Sequence, residues 1–423
     1  MFYYLYLLSQ MGIDWLGPFN VFQYVTFRAA GAAFCAFVIA VLIGPRIIRR
    51  LREMKITDRP VKNDSQQLDE MHKDKASTPT MGGLLIIGGT MLSILLWAAW
   101  PGAFHQTKER AERPAVSGAA PAPQPGGAAP AAPTAPAMPA APSRNLAERY
   151  GGYYALLGLA VLLATALLGF VDDRFKLLGR KGLRLWTKLA WQLLIGLGAA
   201  LAIYHLIDGP EAGRIAIPFF RYDRTYIPLG DLLPWGMAFV VFAVLVIVGS
   251  CNAVNLTDGL DGLAGGCAAL VAVTYAALAY VASNARWCDY LRVPFVQGSG
   301  ELAVCAAALG GACLGFLWFN SHPAEVFMGD TGSLPIGAFI GYTALVVKHE
   351  FLLVLVGGVF VAEAVSVLLQ IASFRLLGKR IFKCAPLHHH FEFLGWPENR
   401  VVVRFWIVGL VLAVLSIATL KIR

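Results

Sequence analysis

The sequence predicts an all-α, polytopic membrane protein of about ten transmembrane helices, and three observations predict it. Of its 423 residues, 57% are hydrophobic against 14% charged, and the mean hydropathy is +0.61, more than a soluble core requires. Apolar runs near the roughly 20 residues that cross a bilayer as a helix recur along the chain. Lys and Arg gather in alternate loops, the pattern that orients a membrane chain.

Residues 1–20 are aromatic and broken by Gly17-Pro18, so an interfacial segment is expected there, with no signal peptide. The predicted spans are 24–43, 81–100, 153–171, 185–207, 234–250, 263–282, 302–319, 333–347, 351–372 and 401–420. Bases follow the odd-numbered spans: Arg46, Arg49, Arg50 and Arg52 after the first, Arg174, Lys176 and Arg184 after the third, Arg375, Lys379 and Arg380 after the ninth. The positive-inside bias then puts both termini on the periplasmic side and these loops in the cytosol. The net charge of +9 is accounted for by this orientation and does not call for nucleic acid.

The whole chain, 1–423, is expected to form one integral membrane domain. It carries an insertion at about 101–150 whose middle, 114–142, is almost entirely Ala, Pro and Gly and is predicted to be disordered. Residues 214–230 alternate apolar and polar side chains and suit a small hairpin. The seven cysteines lie mostly in apolar runs without a C-x-x-C pair, which points to neither a disulfide framework nor a zinc site.

Polar residues that end or open apolar runs are where chemistry is expected, because acids near a bilayer persist when they face a cavity, a metal or a substrate. Asp172-Asp173, with Lys176, closes the third span. A solvated helix end is the alternative reading. Lys75 leads through Thr78-Pro79-Thr80 to Gly82-Gly83, where Ser77 or Thr80 is expected to cap a helix whose N-terminus suits an anion. Asn255, Asp258 and Asp261 recur every third residue, so a helical turn would align them. The stretch from Asn320 holds Phe327, a ring able to stack on a base, and Asp330, a hard oxygen ligand suited to magnesium between protein and phosphates. His388, His389 and His390 are consecutive, which excludes a shared zinc ion and favours donation to phosphate oxygens. Glu363, Ser366 and Gln370 sit at helical spacing and are expected to hydrogen-bond between helices. No P-loop or dinucleotide fingerprint occurs, so any nucleotide must be held by these loops.

Together, residues 75–83, Asp172-Asp173 with Lys176, 255–262, 327–333 and 386–392 resemble the polyprenyl-phosphate hexosamine-1-phosphate transferases, and within them the bacterial phospho-N-acetylmuramoyl-pentapeptide transferases. The likeness runs from the first span to the last, apart from the Ala/Pro insertion, with Ser77 where the family usually has Gly. The resemblance implies transfer of phospho-N-acetylmuramoyl-pentapeptide from UDP-MurNAc-pentapeptide to undecaprenyl phosphate at the cytosolic face of the bacterial inner membrane, with Mg2+ required. It implies Asp330 as the metal ligand, with Asp172 and Asp173 lining the cleft beside it. Lys75, Asn255, Asp258 and Phe327 are implied around the nucleotide, and the histidines in phosphate handling. Lys176, Asp261 and Asn320 complete the candidate substrate contacts, and a homodimer is compatible with the family.

The chemistry fits without the resemblance, since phosphoryl transfer between bulky anions needs charge neutralisation and alignment more than a strong base. A transporter using the same acids would place them near the bilayer midplane. A relative acting on another UDP-hexosamine is the nearer alternative.

Overall fold

The computed structural model describes residues 1–6, 14–54, 56, 75, 78–100, 144–178, 182–207 and 209–422. Its main elements are α1 (Val25–Glu53), α2 (Gly83–Trp97), α3 (Arg144–Leu177), α4 (Leu185–Leu206), strands β1 (Arg214–Ala216) and β2 (Tyr226–Pro228), α5 (Met237–Thr257), α6 (Leu263–Ala282) and α7 (Ala285–Leu291). The chain continues through α8 (Gly300–Asn320), α9 (Asp330–Val346), α10 (Leu352–Val356), α11 (Gly358–Leu377), α12 (Leu387–Glu392) and α13 (Glu398–Thr419). The protein is an all-α, multi-pass membrane protein. Eight of its described helices are long and apolar enough to cross a bilayer. The predicted spans 81–100 and 333–347 appear as the shorter helices α2 and α9, and 351–372 is interrupted at Gly357, between α10 and α11.

Helix α9 is the centre. All its residues are buried, as expected of a helix that is apolar on every side, and it packs along α3 and α5. Helix α8 does the same between α1 and α6, while α4 flanks α5 and α13 flanks α6. Small side chains permit this closeness: a β-carbon on Gly83 would overlap the backbone of Gly332, so α2 and α9 meet main chain to main chain.

At one end of the bundle Arg28 of α1 makes a two-pronged ion pair with Glu301 of α8, both bonds 2.7 Å, and Glu301 also accepts from the Ala99 N–H at 2.8 Å. The pair is buried, and both carboxylate oxygens accept charge-assisted bonds from the guanidinium, the geometry under which a buried charge pair persists. The expected hairpin is present as the antiparallel pair β1 and β2. All seven cysteines are free, five of them buried. The Ala/Pro-rich middle of the insertion lies outside the described residues, as does Ser77.

The helix start at residue 83 differs from expectation. Thr80 does not cap it: the Thr80 N–H donates to Ile56, and the amides of Gly82 and Gly83 donate to the carbonyls of Phe327 and Met328 at 2.7 and 2.9 Å. Those amides are therefore engaged by backbone and not presented to an anion.

Candidate active site

At the other end, the ends of α3, α5 and α8 meet the starts of α4, α9 and α13. Asp172 and Asp173 stand near the end of α3 and Asp330 opens α9, with each residue 7% exposed or less. Buried carboxylates packed together require cations or donors. Lys176, a turn further along α3, lies 3.0 Å from Asp172, 3.3 Å from Asp173 and 3.1 Å from Asp330. Lys188, in the first turn of α4, lies 2.5 Å from Asp330 and 3.7 Å from Asp172.

The adjacent acids have different partners. Asp173 accepts from the N–H groups of Asp330 and Thr331, at 3.2 and 2.8 Å, and from the Thr331 hydroxyl at 2.7 Å. It thus holds the first turn of α9 from a neighbouring helix, where a negative charge also favours the helix dipole. Asp172 accepts from the Leu183 N–H at 2.6 Å and turns its other oxygen to the two lysines. Asn255 donates to Asp330 at 2.7 Å and to the Ser333 hydroxyl at 2.9 Å. Gly169 makes the approach possible, because a β-carbon there would overlap the Asp330 carbonyl.

Burial alone would raise the Asp330 carboxyl, but its contact with Asp172 and the ammonium groups of Lys176 and Lys188 outweigh burial and hold it well below the usual carboxylate range. Oxygens of Asp172, Asp173 and Asp330 lie within 4.8 Å of one another and form one of two groups among the described residues able to hold a metal ion. Two lysine ammoniums already seated on these oxygens show that the cluster accepts positive charge, and its hard oxygen donors suit a hard divalent cation.

The second group is Asp261, His322 and Glu398, and it is closed around Lys75. The Lys75 ammonium lies 2.8 Å from Asp261 and 2.6 and 2.7 Å from the two Glu398 oxygens. Glu398 also accepts from the Asp261 N–H at 2.7 Å, and Asp261 binds His322 Nδ1 at 3.0 Å and the Ala324 N–H at 3.2 Å.

The expected alignment of Asn255, Asp258 and Asp261 on one helical face does not occur. Helix α5 stops at Thr257 with Asp258 as its C-cap, so Asn255 joins the acid cluster and Asp261 turns to Lys75. Asn320 is 3% exposed and ties two loops together, accepting from the Gly262 N–H at 3.0 Å and donating to the Val326 carbonyl at 2.8 Å. Phe327 is half-buried, its backbone paired with Pro79 and Gly82. The histidines point to separate places. His388 is buried, its N–H bonded to Glu363 at 3.1 Å and its Nδ1 3.2 Å from the other Glu363 oxygen, with Nε2 against Gly259. His389 pairs with Glu392 at 2.7 Å, and His390 accepts from the Lys383 N–H at 3.1 Å. Glu363 of α11 thus bonds α12, the interhelical contact expected of it, whereas Ser366 donates to the Glu363 carbonyl within its own helix and Gln370 bonds the backbone at 381–382.

Lys188 and Glu398 are members of these clusters that the motifs do not reveal. A charged residue a few positions inside an apolar run, as Lys188 is, was the available signal.

Comparison with known families completes the picture. The model of glycosyl transferase family 4 matches residues 155–348, from α3 to just beyond α9. The phospho-N-acetylmuramoyl-pentapeptide-transferase signature 1 matches residues 75–87, which hold Lys75 and the start of α2. With the acids of α3 and α9 drawn together and Lys75 seated at the same end, the chain is similar over 155–348 to glycosyl transferase family 4 and over 75–87 to the phospho-N-acetylmuramoyl-pentapeptide transferases among the polyprenyl-phosphate hexosamine-1-phosphate transferases.

Proposed function

We propose that the protein transfers phospho-N-acetylmuramoyl-pentapeptide from UDP-MurNAc-pentapeptide to undecaprenyl phosphate, releasing UMP, at the cytosolic face of the bacterial inner membrane. The observation that carries this reading is the cluster of Asp172, Asp173 and Asp330 bridged by Lys176 and Lys188, at the end of the bundle where the signature segment also lies. The basic loops support a cytosolic location for that end. The signature favours the muramoyl donor over another UDP-hexosamine, and acids gathered at one end argue against a transporter.

Magnesium suits the donor set, with Asp330 and Asp172 as the residues that would hold it and Asp173 keeping Asp330 in place. When bound it neutralises phosphate charge during transfer. Lys176 and Lys188 orient anionic groups over the cluster. A phosphate oxygen of the lipid attacks the sugar-linked phosphorus, the bond to the bridging oxygen breaks, and its electron pair leaves with UMP. The lipid phosphate is already an anion at neutral pH, so no protein base is needed. Both oxygens of Asp173 are engaged by α9, which favours a positioning role over attack as a nucleophile.

The test offers purified protein undecaprenyl phosphate and magnesium with either UDP-MurNAc-pentapeptide or UDP-N-acetylglucosamine. UMP release from the first alone is expected, and release from the second alone overturns the donor assignment. Omitting the lipid should abolish release. A stoichiometric burst of UMP with a phospho-sugar adduct on Asp172 or Asp173 would overturn direct transfer.

A further inference from the structure

Glu398 belongs to none of the motifs, yet it is the residue on which the second polar cluster closes. It sits in the first turn of α13, and its side chain is 11% exposed. Both of its oxygens reach the Lys75 ammonium, at 2.6 and 2.7 Å, and one also accepts from the Asp261 N–H at 2.7 Å. Its other oxygen lies 3.5 Å from His322 Nδ1. One carboxylate therefore joins the segment before α2, the turn after α5, the loop after α8 and the start of α13.

A lysine has three rotatable donors on a flexible stem, and a fixed pose must come from its partners. Asp261 alone gives Lys75 one bond, at 2.8 Å, whereas Glu398 grips the ammonium with both oxygens and fixes the Asp261 backbone in the same contact. Charge-assisted bonds of this kind are the stronger ones. Loss of Glu398 would free both Lys75 and the turn that carries Asp261.

We propose that Glu398 is a positioning residue for the UDP end of the donor, acting through Lys75 and Asp261 and not by touching the reacting phosphates. This rests on the donor assignment above. Its place in the cluster separate from Asp172, Asp173 and Asp330 makes the expected defect one of donor binding, with the chemical step preserved.

The experiment compares wild type, Glu398→Gln, Glu398→Asp, Lys75→Gln and the double variant Glu398→Gln/Lys75→Gln. It measures kcat, KM for each substrate and calorimetric binding of UMP. Glu398→Gln should raise the donor KM about tenfold, the loss of one charge-assisted hydrogen bond, with kcat and the lipid KM little changed. Glu398→Asp should recover part of the loss. The double variant should be no worse than Lys75→Gln alone, because the two residues act as one unit.

An unchanged donor KM, a defect confined to kcat or to the lipid KM, or additive losses in the double variant each overturn the proposal. A lowered melting temperature without the KM shift does so too, by making Glu398 merely structural. Wild-type protein that binds UMP but does not use the muramoyl donor would sink the donor assignment alone, and UMP affinity across the variants then decides the role of Glu398. Wild type that neither binds UMP nor turns over overturns both.

Discussion

Lys188 reaches the same carboxylate oxygen of Asp330 that Lys176 reaches, from a different helix. Two ammoniums on one oxygen keep Asp330 ionised within a buried site. If Lys188 orients the phosphates as proposed, its substitution by Met should lower kcat about 100-fold or more. Melting in detergent should fall, because the buried carboxyls lose one of their two ammoniums, and turnover of the folded fraction within a few-fold of wild type would show that Lys176 suffices.

Asp172 and Asp173 should separate in stability although turnover is expected to be lost in both variants. Asp173→Ala removes three bonds from the first turn of α9 and is expected to destabilise the fold by about 1–3 kcal/mol. Asp172→Ala loses one backbone bond and relieves crowding of carboxylates, so its melting temperature should lie clearly above that of Asp173→Ala. Equal melting of the two variants would refute the capping role.

Glu301→Ala leaves Arg28 buried without its bidentate partner. Removing one member of a buried pair costs about 3–5 kcal/mol, and the site lies at the opposite end of the bundle, so specific activity of the folded fraction should be preserved. Thermal unfolding followed alongside turnover checks both expectations.

The loop after α9 should give the protein a pH-dependent stability. Neither Glu350 carboxylate oxygen has a hydrogen-bond partner among the described residues. Burial, partly offset by Lys348, pushes this carboxyl up to about 7 from an ordinary 4.5. Burial, opposed by Glu350 and Glu211, pulls Lys348 down to about 8 from 10.5. Between pH 4.5 and about 7 the folded chain keeps a proton on Glu350 that the unfolded chain has lost, so stability falls as pH rises. From about 8 to 10.5 the unfolded chain binds the extra proton, on Lys348, and stability rises with pH. Melting temperature across this range should pass through a minimum near neutrality, and Glu350→Gln should flatten the acid limb while extending the basic limb, because Lys348 loses the charge that opposes its lowering. An unaltered acid limb in that variant would rule out Glu350 as its source.

Membrane architecture was legible because apolar length and basic loops are set by the bilayer, residue by residue. The acids were legible for a related reason: Asp172, Asp173 and Asp330 interrupt or border apolar runs where charge is expensive. Their division of labour was not, since nothing local says that the N–H groups of Asp330 and Thr331 will seek a carboxylate on α3. Periodicity misled at Asn255, Asp258 and Asp261, because the helix that would align them stops at Thr257. Lys188 and Glu398 are single charges at helix starts, and only the meeting of helices distant in sequence gives them partners.

The contact between Gly83 and Gly332 bears on how this site can drift. Where main chain rests on main chain there is no side chain to trim, so a change at either position must push two helices apart and shift Asp330 with them. A compound that gripped the backbone at this seam would meet a surface with few viable escape substitutions, whereas one relying on neighbouring side chains would leave many.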